Sequence, residues 1–223
     1  MAYLRSPLKE KFGTPRQPGL APQLQATVEL IPPYNCAAAF EGIEHYSHLW
    51  LLFHFHQTAA QGWRPRVRPP RLGGNRYIGL FATRTMFRPN PIGLSLVQLL
   101  KVEQFGDTLQ LAVAGADLID ATPILDIKPY LPFIEAKTTA AGGFAATQAA
   151  TLKVSFDPLV IAQLKRLEGS HPQLGEQLTE LLTLDPRPAY QQDERYYGLR
   201  YADFNLKWQV VNGVVRVVSL GQC

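Results

Sequence analysis

The stretch on which the fold turns is Phe87-Arg88-Pro89-Asn90-Pro91-Ile92-Gly93-Leu94-Ser95-Leu96-Val97-Gln98-Leu99-Leu100-Lys101-Val102, followed after Gly106-Asp107 by Thr108–Ala114. A proline-rich turn opens a long apolar run that alternates with small and polar residues, and a Gly-Asp turn leads into a second run of the same kind. That is the pattern of paired antiparallel strands. Working outward, Leu24, Ala26, Val28 and Leu30 alternate with Gln25, Thr27 and Glu29. Trp50–Phe55 is nearly continuous in apolar residues, Tyr77–Thr83 reads as a further strand, and Pro123–Lys128 as the last of the series. Many short strands punctuated by Gly and Pro predict a mainly β protein built on a closed β-barrel or a sandwich. One short helix is expected over Ala37–Tyr46.

Ala136–Ala150 is a run of Ala, Thr, Gly and Gln that cannot build a core and reads as a linker. Beyond it the period changes. Asp157 is placed to cap a helix that begins at Pro158. A second helical stretch follows Pro172, with Leu174, Leu178, Leu181 and Leu182 on one side. Asp185–Tyr190 is too proline-rich for a helix. Phe204–Val211 and Val214–Leu220 flank Asn212-Gly213, a strong hairpin signal. The chain therefore divides into a barrel over 1–135, a linker over 136–151 and a small α+β domain over 152–223.

The 223 residues, 46% hydrophobic and 18% charged, suffice for one large domain or one domain with a smaller companion. They exclude a disordered tail protein. No apolar run approaches the roughly 20 residues of a membrane span, and the first residues lack the apolar stretch of a signal peptide. Cys36 and Cys223 make neither a disulfide framework nor a four-ligand zinc site. A soluble, cytoplasmic, reduced protein is expected.

The net charge is only +4, but it is unevenly placed. Residues 61–100 hold Arg64, Arg66, Arg68, Arg71, Arg76, Arg84 and Arg88, with no Asp, Glu or Lys. Arginine in this number suits planar, bidentate contacts to phosphate or carboxylate. Interleaved with Trp63, Tyr77, Phe81 and Phe87, the series combines phosphate contacts with stacking surfaces, which fits looped or single-stranded RNA. The competing reading makes the aromatics core and pairs the arginines with acids elsewhere. Arg187 and Tyr190 carry a weaker basic-aromatic mixture near the end of the chain.

His54 and His56 share one side of the strand-like run, with His45 and His48 before them. Supporting carboxylates and thiols are missing, so no metal centre is expected. Asp120-Ala121-Thr122-Pro123 and Asp126-Ile127-Lys128-Pro129-Tyr130 place two carboxylates six residues apart, either an acid/base pair or ordinary turn residues. No Gly-x-Gly-x-x-Gly follows a strand, which argues against a Rossmann cofactor site. Gly93-Leu94-Ser95-Leu96-Val97 lacks the second glycine of a nucleophile elbow, which argues against a serine hydrolase.

Taken together the motifs are specific. Ser6-Pro7, Lys9-Glu10-Lys11-Phe12, Pro15-Arg16-Gln17-Pro18-Gly19, Phe55-His56-Gln57, Trp63-Arg64-Pro65 through Gly73-Gly74-Asn75, Phe81-Ala82-Thr83-Arg84, Phe87 through Gly93, Asp120 to Pro123 and Asp126 to Tyr130 stand in order. So arranged, they resemble the TsaA-like (TrmO) family of tRNA methyltransferases over nearly all of 3–135. Asp185–Tyr190 and Asp203-Phe204-Asn205 resemble the C-terminal domain of its bacterial members. The chain starts at what looks like the middle of the family's first strand, and the linker has no clear counterpart.

The resemblance implies a non-Rossmann β-barrel enzyme, usually a homodimer. It would use S-adenosylmethionine to methylate the exocyclic amine of threonylcarbamoyladenosine at position 37, beside the tRNA anticodon. By the same resemblance the cofactor meets Pro15, Arg16, Gln17, His56, Gln57, Arg84, Leu94, Asp120, Ala121, Thr122 and Pro123. The acceptor nitrogen is conjugated to both ring and carbamoyl group, so alignment and removal of its proton should govern the rate. Asp126 or Asn90 is expected to accept that proton's hydrogen bond, Asp126 being the better base. Arg64, Arg66, Arg68, Arg71, Arg76, Arg88, Arg187 and Tyr190 are expected to hold the anticodon stem-loop, one arginine taking the threonyl carboxylate. Two other readings are a dimeric barrel that binds RNA without chemistry and a methyltransferase for another small acceptor.

Overall fold

The computed structural model describes residues 1–147, 150–187 and 194–223. In chain order the first strands are β1 (Ala2–Arg5), β2 (Gln25–Leu30), β3 (His48–His54), β4 (Arg66–Val67), β5 (Ile78–Gly79), β6 (Ile92–Phe105), β7 (Thr108–Ala114) and β8 (Thr122–Pro129). Six of them close into an antiparallel barrel in the order β1-β2-β7-β6-β3-β8. The short β1 completes it, pairing Ala2 with Leu30 on one side and with Ile124 on the other. Alternation sorts the faces. Leu49, Leu51 and Phe53 point inward beside Val97, Leu111, Val113 and Ile124 and fill the barrel. His48, Trp50, Leu52 and His54 point outward.

Closing so small a barrel needs local kinks, and the register shifts at Leu52/Phe53 and at Leu99/Lys101 supply them. A close approach also fixes one glycine. A Cβ on Gly93, opposite Phe53, would stand 2.1 Å from the Phe53 ring.

Pro132–Glu135 (α1) leaves the barrel. The second unit comprises β9 (Lys153–Phe156), α2 (Pro158–Leu167), α3 (Leu174–Thr183), β10 (Tyr197–Tyr201), β11 (Phe204–Val211) and β12 (Val214–Gln222). Its sheet runs β10-β11-β12-β9, with β9 parallel to β12. Asn212 and Gly213 both take positive φ, 50° and 75°, as a tight two-residue hairpin turn requires.

The two units are not packed independently. The connection after β1 leaves the barrel and enters the second core, where Leu8, Ala21 and Leu24 are buried with Tyr201, Trp208 and Leu178. Ala202 N–H donates to the Pro7 carbonyl at 2.7 Å, and the Phe12 ring stacks on Tyr197 at 6.2 Å.

Several local expectations are revised. Tyr77–Thr83 keeps only Ile78–Gly79 as strand, followed by a 3-10 turn over Leu80–Ala82. Only Leu80 there is buried, too little to hold a barrel strand. Ala37–Tyr46 forms two 3-10 turns, Ala37–Phe40 and Ile43–His45, broken at Gly42 with φ 85°. β3 ends at His54, so His56 lies in a turn and does not share a strand face with it. Asp157 precedes α2 as expected, but its carboxylate pairs with Arg216 at 2.5 Å and does not cap the helix. Among the described residues no helix is long and apolar enough to cross a membrane.

Candidate active site

Strand direction alone gathers most of the candidate residues. β1, β7 and β3 end, and β2, β8 and β6 begin, at the same rim of the barrel. That rim therefore carries the connections 6–24, 115–121 and 55–91. Pro15, Arg16, Gln17, His56, Gln57, Arg84, Asn90, Asp120 and Ala121 all lie in these three loops. Leu94, Thr122 and Pro123 lie within the first residues of their strands.

Hydrogen bonds knit the loops together. Asp120 accepts from the Ser6 N–H at 3.0 Å and meets the Lys9 ammonium at 3.0 Å. Burial alone would raise its carboxyl, but these two partners outweigh burial and hold it below the usual range. Gly19 N–H donates to the Gly115 carbonyl at 2.8 Å. Arg84 donates to the Gln17 side-chain oxygen at 2.8 Å, which ties the Arg-rich excursion to the first loop. Arg16 reaches the Arg187 carbonyl at 3.0 Å.

Beneath Arg84 a cleft of about 350 Å³ opens on the outer face of the barrel. Trp50 and Leu96 form its floor, and Pro18, Gly19 and Gly115 one wall. Trp50 is fixed from behind, its indole N–H donating to Glu135 and its ring edge-on to Tyr130 at 6.0 Å. The adjoining row is Leu94, Leu52 and Asp126, paired across β6, β3 and β8. Asp126 and Leu94 thus flank Leu52, about 10 Å apart at ordinary strand spacing. The size of the cleft falls in the range of small-molecule sites. A guanidinium at its mouth suits a carboxylate, and the Trp50 ring suits both a stacked base and a sulfonium cation. The residues present therefore fit S-adenosylmethionine.

Individual candidates differ in what they offer. Asn90 is exposed, and among the described residues only its backbone carbonyl is engaged, by Ile92 N–H at 2.7 Å. Asp126 is committed: one oxygen meets Lys128 at 2.7 Å and the other accepts the Ile127 N–H at 3.0 Å. The Lys128 partner holds it below the usual carboxylate range, which makes it a weak base. Pro15 and Thr122 are buried, and the Thr122 hydroxyl donates to the Ile119 carbonyl at 2.7 Å. His56 is half-buried, and Gln57 and Leu94 are exposed.

Sequence reading missed Asp117. It lies in the 115–121 loop, where the buried Ser95 hydroxyl donates to it at 2.7 Å. Burial pushes its carboxyl up to about 6. The only hint in sequence was the inward phase of Ser95 between Leu94 and Leu96. Trp50 was read only as part of a strand.

The Arg-rich excursion answers the question left open by sequence. Trp63, Tyr77 and Phe81 are exposed, so they are not core. Arg64 lies over Phe87 at 4.0 Å, Arg68 and Arg66 over Tyr77 at 4.3 and 5.4 Å, and Arg88 over Phe81 at 5.7 Å. Among the described residues none of the seven arginines is in an ion pair with a carboxylate. Arg76 is exposed, while Arg71 is turned to the carbonyls of Ala145 and Thr147. Arg187 is held by Asp185 at 2.8 Å, and Tyr190 lies outside the described residues.

Comparison with known proteins identifies the family. The tRNA-methyltransferase O N-terminal domain matches residues 3–136, and the TrmO C-terminal domain matches 149–222. The tRNA (adenine(37)-N6)-methyltransferase of Escherichia coli strain K12 is 50% identical over 224 residues, covering 99% of this chain and 95% of that protein. A Pseudomonas aeruginosa relative, 45% identical over 215 residues (93% of this chain, 90% of that protein), carries the provisional name of an S-adenosylmethionine-dependent methyltransferase. The crystal structure of TrmO from Pseudomonas aeruginosa superposes with a TM-score of 0.81 at 36% identity, over 99% of this chain and 95% of that one. The chain belongs to the tRNA-methyltransferase O family.

Proposed function

We propose that this protein, acting in the cytoplasm, transfers a methyl group from S-adenosylmethionine to the exocyclic N6 of adenine 37 in tRNA, with threonylcarbamoyladenosine as the acceptor. The observation that carries the reading is the cleft itself. Arg84, tied to Gln17, stands over a cleft on the outer face of the barrel floored by Trp50, and its own loop bears a series of arginines stacked on aromatic rings.

The donor supplies a methyl group on a sulfonium, so sulfur departs with the electron pair of the broken C–S bond as the nitrogen lone pair forms the N–C bond. The protein's work is to align and to deprotonate. Arg84, held by Gln17, would take the cofactor's carboxylate, and Trp50 would offer it a stacking surface in the cleft. Residues 15–17, 56–57, 94 and 120–123, on the loops and strand starts of the adjoining rim, would hold the rest of the cofactor. The Asn90 side-chain oxygen accepts a hydrogen bond from the acceptor N–H and orients it, and the proton passes to the Asp126 carboxylate once Lys128 swings away. Arg64, Arg66, Arg68, Arg76 and Arg88 grip phosphates of the anticodon stem-loop, and one of them takes the threonyl carboxylate. Arg71 and Arg187 contribute by ordering the segments that face the RNA.

The division into 1–135 for chemistry, 136–151 as linker and 152–223 for RNA contact belongs to the same reading. So does a second copy of the chain over the outer apolar row of Ile92, Leu94 and Leu125, which are 44%, 48% and 45% exposed.

Methyl transfer from labelled S-adenosylmethionine to bulk tRNA tests the proposal, comparing tRNA from cells with and without the threonylcarbamoyl modification. Label only in modified tRNA supports it. Label in both removes the acceptor assignment, and label in neither removes the reaction.

A further inference from the structure

The second sheet has a solvent-facing side that the proposed chemistry does not use. On β10, β11 and β12 the inward side chains are Leu199, Leu206, Trp208 and Leu220. The alternate residues form two rows on the outside. One is Gly198, Lys207 and Ser219, and the other includes Asn205 and Gly221. One glycine stands in each row, Gly198 on the edge strand β10 and Gly221 near the end of β12, and they leave bare backbone on either side of β11. A depression of about 440 Å³ lies there, bounded by Tyr196, Lys207, Asn205 and Ser219.

The wall of this depression is specific. Tyr196 is 55% exposed at its edge, and the Lys207 ammonium stands 4.7 Å from the centre of its ring. The arrangement offers an aromatic ring with a cation over one face, a side-chain amide with both donor and acceptor, and a flat floor. A planar heterocycle attached to a phosphate matches each of these. The two glycines have ordinary negative-φ backbone, and a Cβ on either would meet nothing closer than a carbonyl at 3.9 Å. Neither turn geometry nor internal packing requires them. Open floor is what their absence of side chain provides.

We infer that this glycine-floored slot binds one unpaired nucleotide of the RNA substrate, its base against Tyr196 and the backbone of Gly198 and Gly221, its phosphate on Lys207, and its base edge on Asn205. The inference rests on the tRNA reading above and extends it to a second contact point. The opposite face of this sheet packs on the 7–24 connection that carries Gln17, so an RNA strand held here is placed rigidly with respect to the cleft.

Because the floor is open, a side chain can be added without disturbing the fold. A branched residue suits an exposed strand position. In the full-length protein, Gly198→Val and Tyr196→Ala should each weaken binding of tRNA about tenfold, measured by fluorescence anisotropy. They should raise KM for tRNA while leaving kcat, S-adenosylmethionine affinity and the melting temperature at wild-type values. Lys207→Ala should also flatten the salt dependence of binding. Wild-type affinity in both Gly198→Val and Tyr196→Ala overturns the slot while leaving the tRNA reading intact. Failure of the wild-type protein to bind tRNA at all overturns both. Should Gly198→Val melt early, Tyr196→Ala alone decides, since it removes an exposed ring that supports no core.

Discussion

Replacing Asp117 by Asn exposes the cost of burying a carboxylate at the rim of the barrel. In the folded protein burial raises this carboxyl from its ordinary 3.8 to about 6, even with the Ser95 hydroxyl donating to it and Arg84 nearby. A group with a raised folded pKa binds its proton more tightly when folded. It leaves stability untouched below the unfolded value, then erodes it as pH climbs from about 4 to about 6. At roughly 1.4 kcal/mol per pH unit, the rise from 3.8 to about 6 amounts to about 3 kcal/mol at neutral pH. Asn keeps the shape and the acceptor oxygen for Ser95 but never ionises. The variant should match wild type near pH 4 and exceed it by up to about 3 kcal/mol at pH 7. Urea unfolding of both proteins from pH 4 to 8 measures the difference, in which the opposite contributions of Asp120 and Asp126 cancel. A difference that stays flat across that range would refute the burial argument. Growth of the difference with falling pH would refute its sign.

Gly93→Ala should destabilise the barrel by about 1–3 kcal/mol, because its methyl group would meet the Phe53 ring at 2.1 Å in a filled interior; a melting temperature equal to wild type would remove that packing claim. Leu8→Ala should cost about 2–5 kcal/mol and loosen the second sheet rather than the barrel, since Leu8 is buried at 1% exposure in the second core. Amide exchange in β10 and β11 reads this out. Arg84→Ala should weaken S-adenosylmethionine binding about tenfold or more by calorimetry, from loss of a charge-assisted contact. Arg76→Ala should lower tRNA affinity and reduce the slope of log K against log salt by about 1, with cofactor binding unchanged.

Much of the barrel was legible in order of residues. The alternation of 24–30, the strand-like runs 108–114 and 123–128, and the turn at Gly106-Asp107 are local signals that tertiary contacts reinforced. The hairpin at Asn212-Gly213 was equally local. Where the reading strayed, local propensity met no partner. Tyr77–Thr83 has strand-like composition, but no barrel strand stands beside it, and most of it stays in an exposed loop. β9 and β10 were too short and too polar at alternate positions to announce themselves, and exist because β12 and β11 pair with them.

Residue type and spacing alone carry the alternation that makes a mainly β chain, the concentration of arginine without acid in 61–100, and a set of motifs in fixed order that mark the family. These are properties of residue type and spacing, and spacing of two or of a turn is read along one dimension. Only the tertiary structure decided that the three site loops meet at one rim, because that follows from the direction in which each barrel strand runs. It also decided that Asp126 is occupied by Lys128 while the Asn90 side chain has no partner among the described residues, that the aromatics carry arginines rather than a core, and that the Asp117 carboxyl is drawn away from water against Ser95. Each of these depends on which residues far apart in the chain are brought within a few ångströms, and that is set by closure of the sheet rather than by any local preference.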